Sequence, residues 1–325
     1  MEKKSSTLAL IFKGMAMGMA EVVPGVSGGT IAFITGIYER LIDTIKHVLG
    51  PEVWRSLRQD GLAAAWQRAN GTFLLFLLVG MAAGIVVGVF GITHLLEHYP
   101  ILLWAFFFGL IVASAVYIGQ QVERWRPGEV AGLVVGTIVA YIITIASPAE
   151  GSTQLWMVFL SGMIAISALI LPGISGSFIL LLMGMYTIII PTIKTALKTL
   201  SPESLIVLGV FGVGCLIGLA TFSRLLSWTF KHYHNLTLAV LTGFMLGSLN
   251  KIWPWRKAVL GLTEEGELVE LAPGIAVDKI IQEVNLMPMQ YAEEVGPAYL
   301  GGAIVCMLAG LGIVFLLDRL DQKGF

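Results

Sequence analysis

The chain has 325 residues, of which 56% are hydrophobic and 13% charged, with a formal net charge of −1. A soluble globular domain carries about 25% charged residues, so this composition, with its repeated apolar runs of spanning length, indicates a polytopic membrane protein. The charge balance offers no basic face for nucleic acid. Cys215 and Cys306 lie far apart in apolar runs, without a disulfide framework or metal-ligand spacing.

In chain order, Lys3 and Lys4 precede the apolar run 8–12 in the manner of a signal peptide, but Lys13 cuts that run short and the segment belongs to a repeat, so it is expected to be retained. The apolar region 8–45 is long enough to cross a membrane twice, yet Pro24-Gly25-Val26-Ser27-Gly28-Gly29 breaks it at its centre. A proline without an N–H, followed by residues free to adopt positive φ, ends a helix and turns the chain. Spans are expected at 73–90, 101–118 and 130–146. Region 155–193 is then broken in the same way at Pro172-Gly173-Ile174-Ser175-Gly176-Ser177, and further spans are expected at 205–222, 236–249 and 299–317. Each broken region reads as two half-helices meeting at a loop within the membrane, where irregular backbone is tolerated only if protein buries it or it lines a wet cavity. In the polar stretch 251–297, Trp253 and Trp255 suit a membrane interface, whereas Glu264, Glu265, Glu267, Glu270, Asp278, Glu283, Glu293 and Glu294 suit water. This stretch is expected to be a solvated connector or a small cap over the outer mouth.

The two broken regions reveal a duplication. An offset of 148 takes Pro24 to Pro172, Gly25 to Gly173, Ser27 to Ser175, Gly28 to Gly176, Gly36 to Gly184 and Tyr38 to Tyr186. Further on, an offset of 134 takes Gly80 to Gly214, Gly84 to Gly218, Gly109 to Gly243 and Ser114 to Ser248. Lys and Arg concentrate in alternate loops, which puts both termini in the cytoplasm by the positive-inside rule; Lys194 and Lys198 fit less well. Each half then has one re-entrant hairpin and three spans, and the odd number of crossings turns the second half upside down. The expected fold is an all-α polytopic membrane protein with an inverted-topology repeat, residues 1–146 forming the first repeat and 147–325 the second.

Paired broken hairpins bring helix starts toward the midplane, where free N–H groups and the positive dipole end suit an anion. Ser27 and Thr30 in the first copy, and Ser175 and Ser177 in the second, add hydroxyls. Gly25, Gly28, Gly29, Gly173 and Gly176 let the backbone approach a ligand closely. In a single copy, the simpler reading is glycine for packing and serine for capping; two copies at symmetric positions favour a site. Glu21 lies inside an otherwise uncharged stretch and is a candidate proton or cation acceptor, while its second-half counterpart is Leu169. Arg40 and Arg224 are the cations nearest the spans, available to hold an anion or to act as ordinary cytoplasmic anchors. Both loops also read Gly-x-Ser-Gly, as an intramembrane serine hydrolase would require, but all five histidines fall in loops or at span ends. No nucleotide-binding or metal motif occurs, and no cofactor is expected.

The run Gly14-Met15-Ala16-Met17-Gly18-Met19-Ala20-Glu21-Val22-Val23-Pro24-Gly25-Val26-Ser27-Gly28-Gly29-Thr30, together with Leu171-Pro172-Gly173-Ile174-Ser175-Gly176-Ser177, resembles the bacterial polyprenyl-phosphate transporter family (PopT) over essentially the whole chain. The resemblance implies a transporter, not an enzyme, that returns undecaprenyl phosphate across the bacterial cytoplasmic membrane for reuse in cell-envelope synthesis. Its partners would be that lipid and the bilayer, and a homo-oligomer is compatible with it. Coupling to a proton or sodium gradient through Glu21 is a hypothesis attached to this reading. A permease for a small soluble anion is the nearest rival, and an intramembrane serine hydrolase a remote one.

Overall fold

The computed structural model describes residues 7–23, 26–149, 151–263, 268–271, 277 and 279–323. The chain opens with three helices, α1 (Thr7–Val22), α2 (Gly28–Ile34) and α3 (Tyr38–Val48). Short α4 (Pro51–Gln59) and α5 (Leu62–Arg68) lead to the long α6 (Gly71–His98), α7 (Pro100–Gln120) and α8 (Pro127–Ile145). The second half repeats the plan with α9 (Leu155–Ile170), α10 (Gly176–Leu182) and α11 (Tyr186–Thr199), then α12 (Pro202–His232) and α13 (His234–Ser248). A three-stranded antiparallel sheet follows, β1 (Arg256–Leu262), β2 (Leu268–Glu270) and β3 (Lys279–Asn285) in the order β2-β1-β3. The chain closes with α14 (Pro288–Glu294) and α15 (Leu300–Lys323).

Four of these helices, α6, α7, α8 and α12, are long and apolar enough to cross a membrane. The α10–α11 pair makes a fifth candidate, bent by 112° at its break. The protein is a polytopic helical membrane protein. α6 has 28 residues and is about 42 Å long at 1.5 Å per residue, well beyond a hydrocarbon core about 30 Å thick. It therefore runs past the apolar window 73–90, and the expected loop at 93–100 is a sharp turn at Tyr99, with Pro100 opening α7 at a position where a missing N–H costs nothing. α12 likewise extends to His232, so Arg224 and Lys231 sit on its last turns rather than in a loop.

The two broken regions fold alike. In each, the second short helix ends in the paired bonds of a Schellman turn. Ile37 N–H donates to Ala32 O at 3.0 Å and Gly36 N–H to Phe33 O at 3.0 Å; Met185 N–H donates to Leu180 O at 2.9 Å and Gly184 N–H to Leu181 O at 2.9 Å. Gly36 and Gly184 supply the left-handed residue, with φ of +69° and +66°.

Close backbone packing shows how far the duplication reaches. A Cβ on Gly80 would stand 2.2 Å from the carbonyl of Ile11, and one on Gly84 2.1 Å from that of Met15. In the second half, a Cβ on Gly214 would stand 2.2 Å from the carbonyl of Phe159, and one on Gly218 2.5 Å from that of Met163. The α1–α6 and α9–α12 contacts are thus the same contact at offsets of 148 and 134. The third spans are exchanged. Gly136 of α8 packs against Val240 O of α13, while Gly310 of α15 packs against Phe106 O of α7, each too closely to admit a Cβ. Small residues let helix backbones approach closely where no water drives association. At the centre, α7 is the most enclosed spanning helix, with Ala105, Ile111, Ala113 and Ile118 fully buried.

The polar stretch 251–297 differs from a plain connector. Among its described residues it forms the sheet and α14, so the membrane part is all-α while a small β element sits on one face. Glu264, Glu265, Glu267 and Asp278 lie outside the described residues. Trp253 and Trp255 do not face lipid: Trp255 is buried and donates its indole N–H to Ala298 O at 2.8 Å, and Trp253 donates to Leu286 O at 2.8 Å while stacking edge-on against Phe108 of α7.

Candidate functional site: the junction of two broken helices

The C-terminal end of α9 leaves carbonyls without helical partners, as every helix end does. Here the other half of the molecule satisfies them. Ser27 Oγ donates to Leu169 O at 3.1 Å, and the Tyr38 hydroxyl donates to Ile170 O at 3.1 Å. Just beyond the break, Gly173 N–H donates to Thr30 Oγ1 at 3.0 Å. Ser27 and Thr30 are both 0% exposed. Ser27 also caps α2, accepting the Gly29 N–H at 3.1 Å. A three-point clasp therefore holds the first hairpin against the break of the second.

Glu21 sits near the end of α1, and its Oε1 accepts the Gly28 N–H at 2.8 Å. A Cβ at Gly28 would lie 2.6 Å from that oxygen, so only glycine leaves the carboxylate its place. In the second half, Gly176 lies against Ala165 O, and the apolar Leu169 takes the position of the acid. Glu21 and Leu169 line one cavity of about 310 Å³ together with Met17, Gly29, Leu41 and Ile170. Among the residues lining it, Glu21 alone is charged. A carboxylate with one oxygen bonded to backbone, in an otherwise apolar cavity, is a natural acceptor for a proton or a cation.

The candidate residues thus fall into three groups. Glu21, Ser27, Gly28, Gly29, Thr30 and Gly173 come together at the junction; Gly29 abuts Ile170 O, and Gly173 holds φ +83°. Ser175 and Ser177 make a separate hydroxyl pair, 3.0 Å apart, with Ser177 exposed. Arg40 and Arg224 belong to neither. Arg40 donates to Asn70 Oδ1 at 3.2 Å and stacks over Phe73, while Arg224 caps the end of α3 through Leu49 O at 3.2 Å. Gly25 lies outside the described residues. Neither Ser27 nor Ser175 hydrogen-bonds a histidine among the described residues. His234 instead pairs with Glu39 at 3.2 Å, and His232 meets Trp228 O.

Two features escaped the sequence reading. Tyr38 was visible as a match to Tyr186, but only its bond to Ile170 shows that it belongs to the clasp. On the sheet side, Arg256 and Lys251 share Glu283 at 2.5 and 3.6 Å, and Arg256 stacks over Trp104 of α7 at 4.1 Å. Burial pushes the Arg256 guanidinium below its ordinary range, and the Glu283 charge works against that shift. Two basic residues standing 5 apart at the head of an acidic stretch were the available signal.

Spanning helices packed around a pair of interrupted hairpins, with one carboxylate at their junction, define a membrane transport protein. The chain belongs to the undecaprenyl phosphate translocase-like family, whose profile matches residues 17–269. It is 40% identical over 323 residues to a polyprenyl-phosphate transporter of Vibrio cholerae, covering 99% of each chain. It is 33% identical over 258 residues to a polyprenyl-phosphate transporter of Staphylococcus aureus, covering 75% of this chain and 85% of that one. No solved structure gives a significant match.

Proposed function

We propose that this chain returns undecaprenyl phosphate across the bacterial cytoplasmic membrane, with both termini in the cytoplasm and the sheet outside. The two repeats are inverted, and rocking one against the other exposes their junction to each side in turn. Family membership and the names of the relatives support the substrate class. The observation that carries the mechanism is the clasp, in which hydroxyls of the first broken loop are spent on backbone groups of the second half while the Ser175–Ser177 pair is open. Releasing the clasp frees Ser27 and Thr30 to hydrogen-bond a phosphate, whose charge cannot enter hydrocarbon unaided. The apolar cavity beside Glu21 suits an isoprenoid chain better than a small hydrated anion. Glu21 takes up a proton or sodium ion and couples the cycle to its gradient.

The test is transbilayer movement of undecaprenyl phosphate in proteoliposomes. Wild type is expected to move the lipid, Ser27→Ala/Ser175→Ala to lose most of that movement, and Glu21→Gln to lose its response to an imposed pH or sodium gradient. Excess polyprenyl phosphate should compete and inorganic phosphate should not. Competition by inorganic phosphate alone would instead indicate a small-anion permease, and a chemically altered lipid would indicate an enzyme.

A further inference from the structure

A second pocket, of about 250 Å³, opens on the sheet side between the end of α8, the start of α10, the turn after α13 and strands β1 and β3. Lys251, Arg256 and Glu283 line it, which leaves one net positive charge. Arg256 is fixed by Glu283, by the Lys251 carbonyl at 2.9 Å and by the Trp104 ring, yet its buried Nε–H has no acceptor. Lys251 lies 3.6 Å from Glu283 and 4.7 Å from the centre of the Phe178 ring. Asn285 bonds the Asn250 backbone and side chain at 2.9 and 2.8 Å, bracing the turn that carries Lys251. Phe178 directly follows Ser177, so the pocket adjoins the second broken loop and its exposed hydroxyl.

We infer that this pocket is a binding subsite for a phosphate monoester carrying an apolar chain, the headgroup being held by Lys251 and the chain directed along Phe178. The inference rests on the transport reading for its direction, since it makes the pocket the place of capture on the outer face before transfer to the junction. The chemistry is that of an exchanged ion pair. A phosphate monoester brings up to two negative charges and three acceptor oxygens, more than the single carboxylate of Glu283 offers. The compact, strongly hydrated ammonium of Lys251, on a flexible stem, can swing between the two, whereas the guanidinium of Arg256 supplies a fixed field. An exchange of this kind weakens with added salt, because the pocket is open to water.

The experiment uses the full-length protein in detergent, with tryptophan fluorescence read during titration with farnesyl phosphate, farnesol and inorganic phosphate. Farnesyl phosphate is expected to saturate the signal, and both other probes to bind at least about tenfold more weakly. Lys251→Gln should weaken farnesyl phosphate binding about tenfold, equivalent to about 1.4 kcal/mol, and Lys251→Arg should restore it. Thermal unfolding of each variant, unchanged within a few degrees, shows that the fold is kept. In proteoliposomes, Lys251→Gln should raise the half-saturating lipid concentration and leave turnover at saturation unaltered. Equal farnesyl phosphate affinity in wild type and Lys251→Gln overturns the subsite, even where transport is intact. Lysine-dependent binding in a protein that moves no lipid keeps the subsite and overturns the transport reading instead.

Discussion

At the residue scale, the junction depends on three hydrogen bonds between the two halves. Ser27 reaches Leu169, Tyr38 reaches Ile170, and Gly173 reaches Thr30. Removing either partner of a buried hydrogen bond leaves the other unsatisfied and costs about 1–3 kcal/mol. Tyr38→Phe should therefore lower the thermal midpoint of the purified protein, and Thr30→Val should do so by a similar amount. Because the same bonds close the clasp, these variants are also expected to leave the junction open to a larger fraction of an added thiol reagent when a cysteine is placed at Leu169. Gly28→Ala acts differently. Its methyl group would collide with the carboxylate of Glu21, so it is expected to lose the response to an imposed gradient, as is Glu21→Gln, with only a modest loss of stability. An unchanged gradient response in Gly28→Ala would mean that the Gly28–Glu21 bond does not set the position of the acid. The sequence revealed Glu21 through its isolation among apolar residues. It could not reveal Tyr38, because a tyrosine after a turn has many uses, and only the approach of α9 gives its hydroxyl a partner.

At the scale of elements, the breaks were visible in the sequence because proline and clustered glycine have direct consequences for the backbone. Helix ends were less so. Hydropathy measures the thickness of the membrane, whereas a helix continues as long as its backbone bonds are worth keeping, which is why α6 and α12 overrun their apolar windows. The sheet was missed for another reason. Its strands lie in a stretch whose many acids read as solvated loop, and what fixes it is the packing of Trp253 against Phe108 and of Trp255 with Ile101 and Ala105 of α7. The glycine contacts carry a paired prediction. Gly84→Val and Gly218→Val each force apart a helix pair at an equivalent crossing, so both should destabilise the protein by about 1–3 kcal/mol through overpacking. Thermal unfolding of the two in detergent should give similar shifts; a large effect in one and none in the other would contradict the equivalence of the α1–α6 and α9–α12 pairs.

For the whole molecule, Arg256 of β1 pins the sheet to the central helix by stacking over Trp104, and its pair with Glu283 ties β1 to β3. Arg256→Ala strips a buried charge pair of one partner, an event that costs about 3 kcal/mol or more. It is expected to lower the thermal midpoint and to shift the emission of the nearby tryptophans to the red as the sheet loosens. The offsets of 148 and 134 disclosed the repeat as far as the second span of each half. The third correspondence, Gly136 to Gly310 at an offset of 174, stayed hidden because the sheet and α14 lengthen the connector before α15.

The exchange of third spans bears on how such a chain arose and how it is assembled. Among the described residues, α8 packs closely on α13, and α15 on α7. During synthesis α8 must therefore wait in lipid until more than a hundred further residues have been inserted. A half-length ancestor would have had no internal partner for that helix at all. It would have needed a second copy of itself, threaded through the membrane in the opposite sense, with the two chains embracing by their last helices. Fusion of two such genes would turn a dimer of that kind into a single chain. Once one polypeptide carried both halves, the two positions facing the shared cavity were free to diverge, one keeping an acid as Glu21 and the other a hydrocarbon as Leu169.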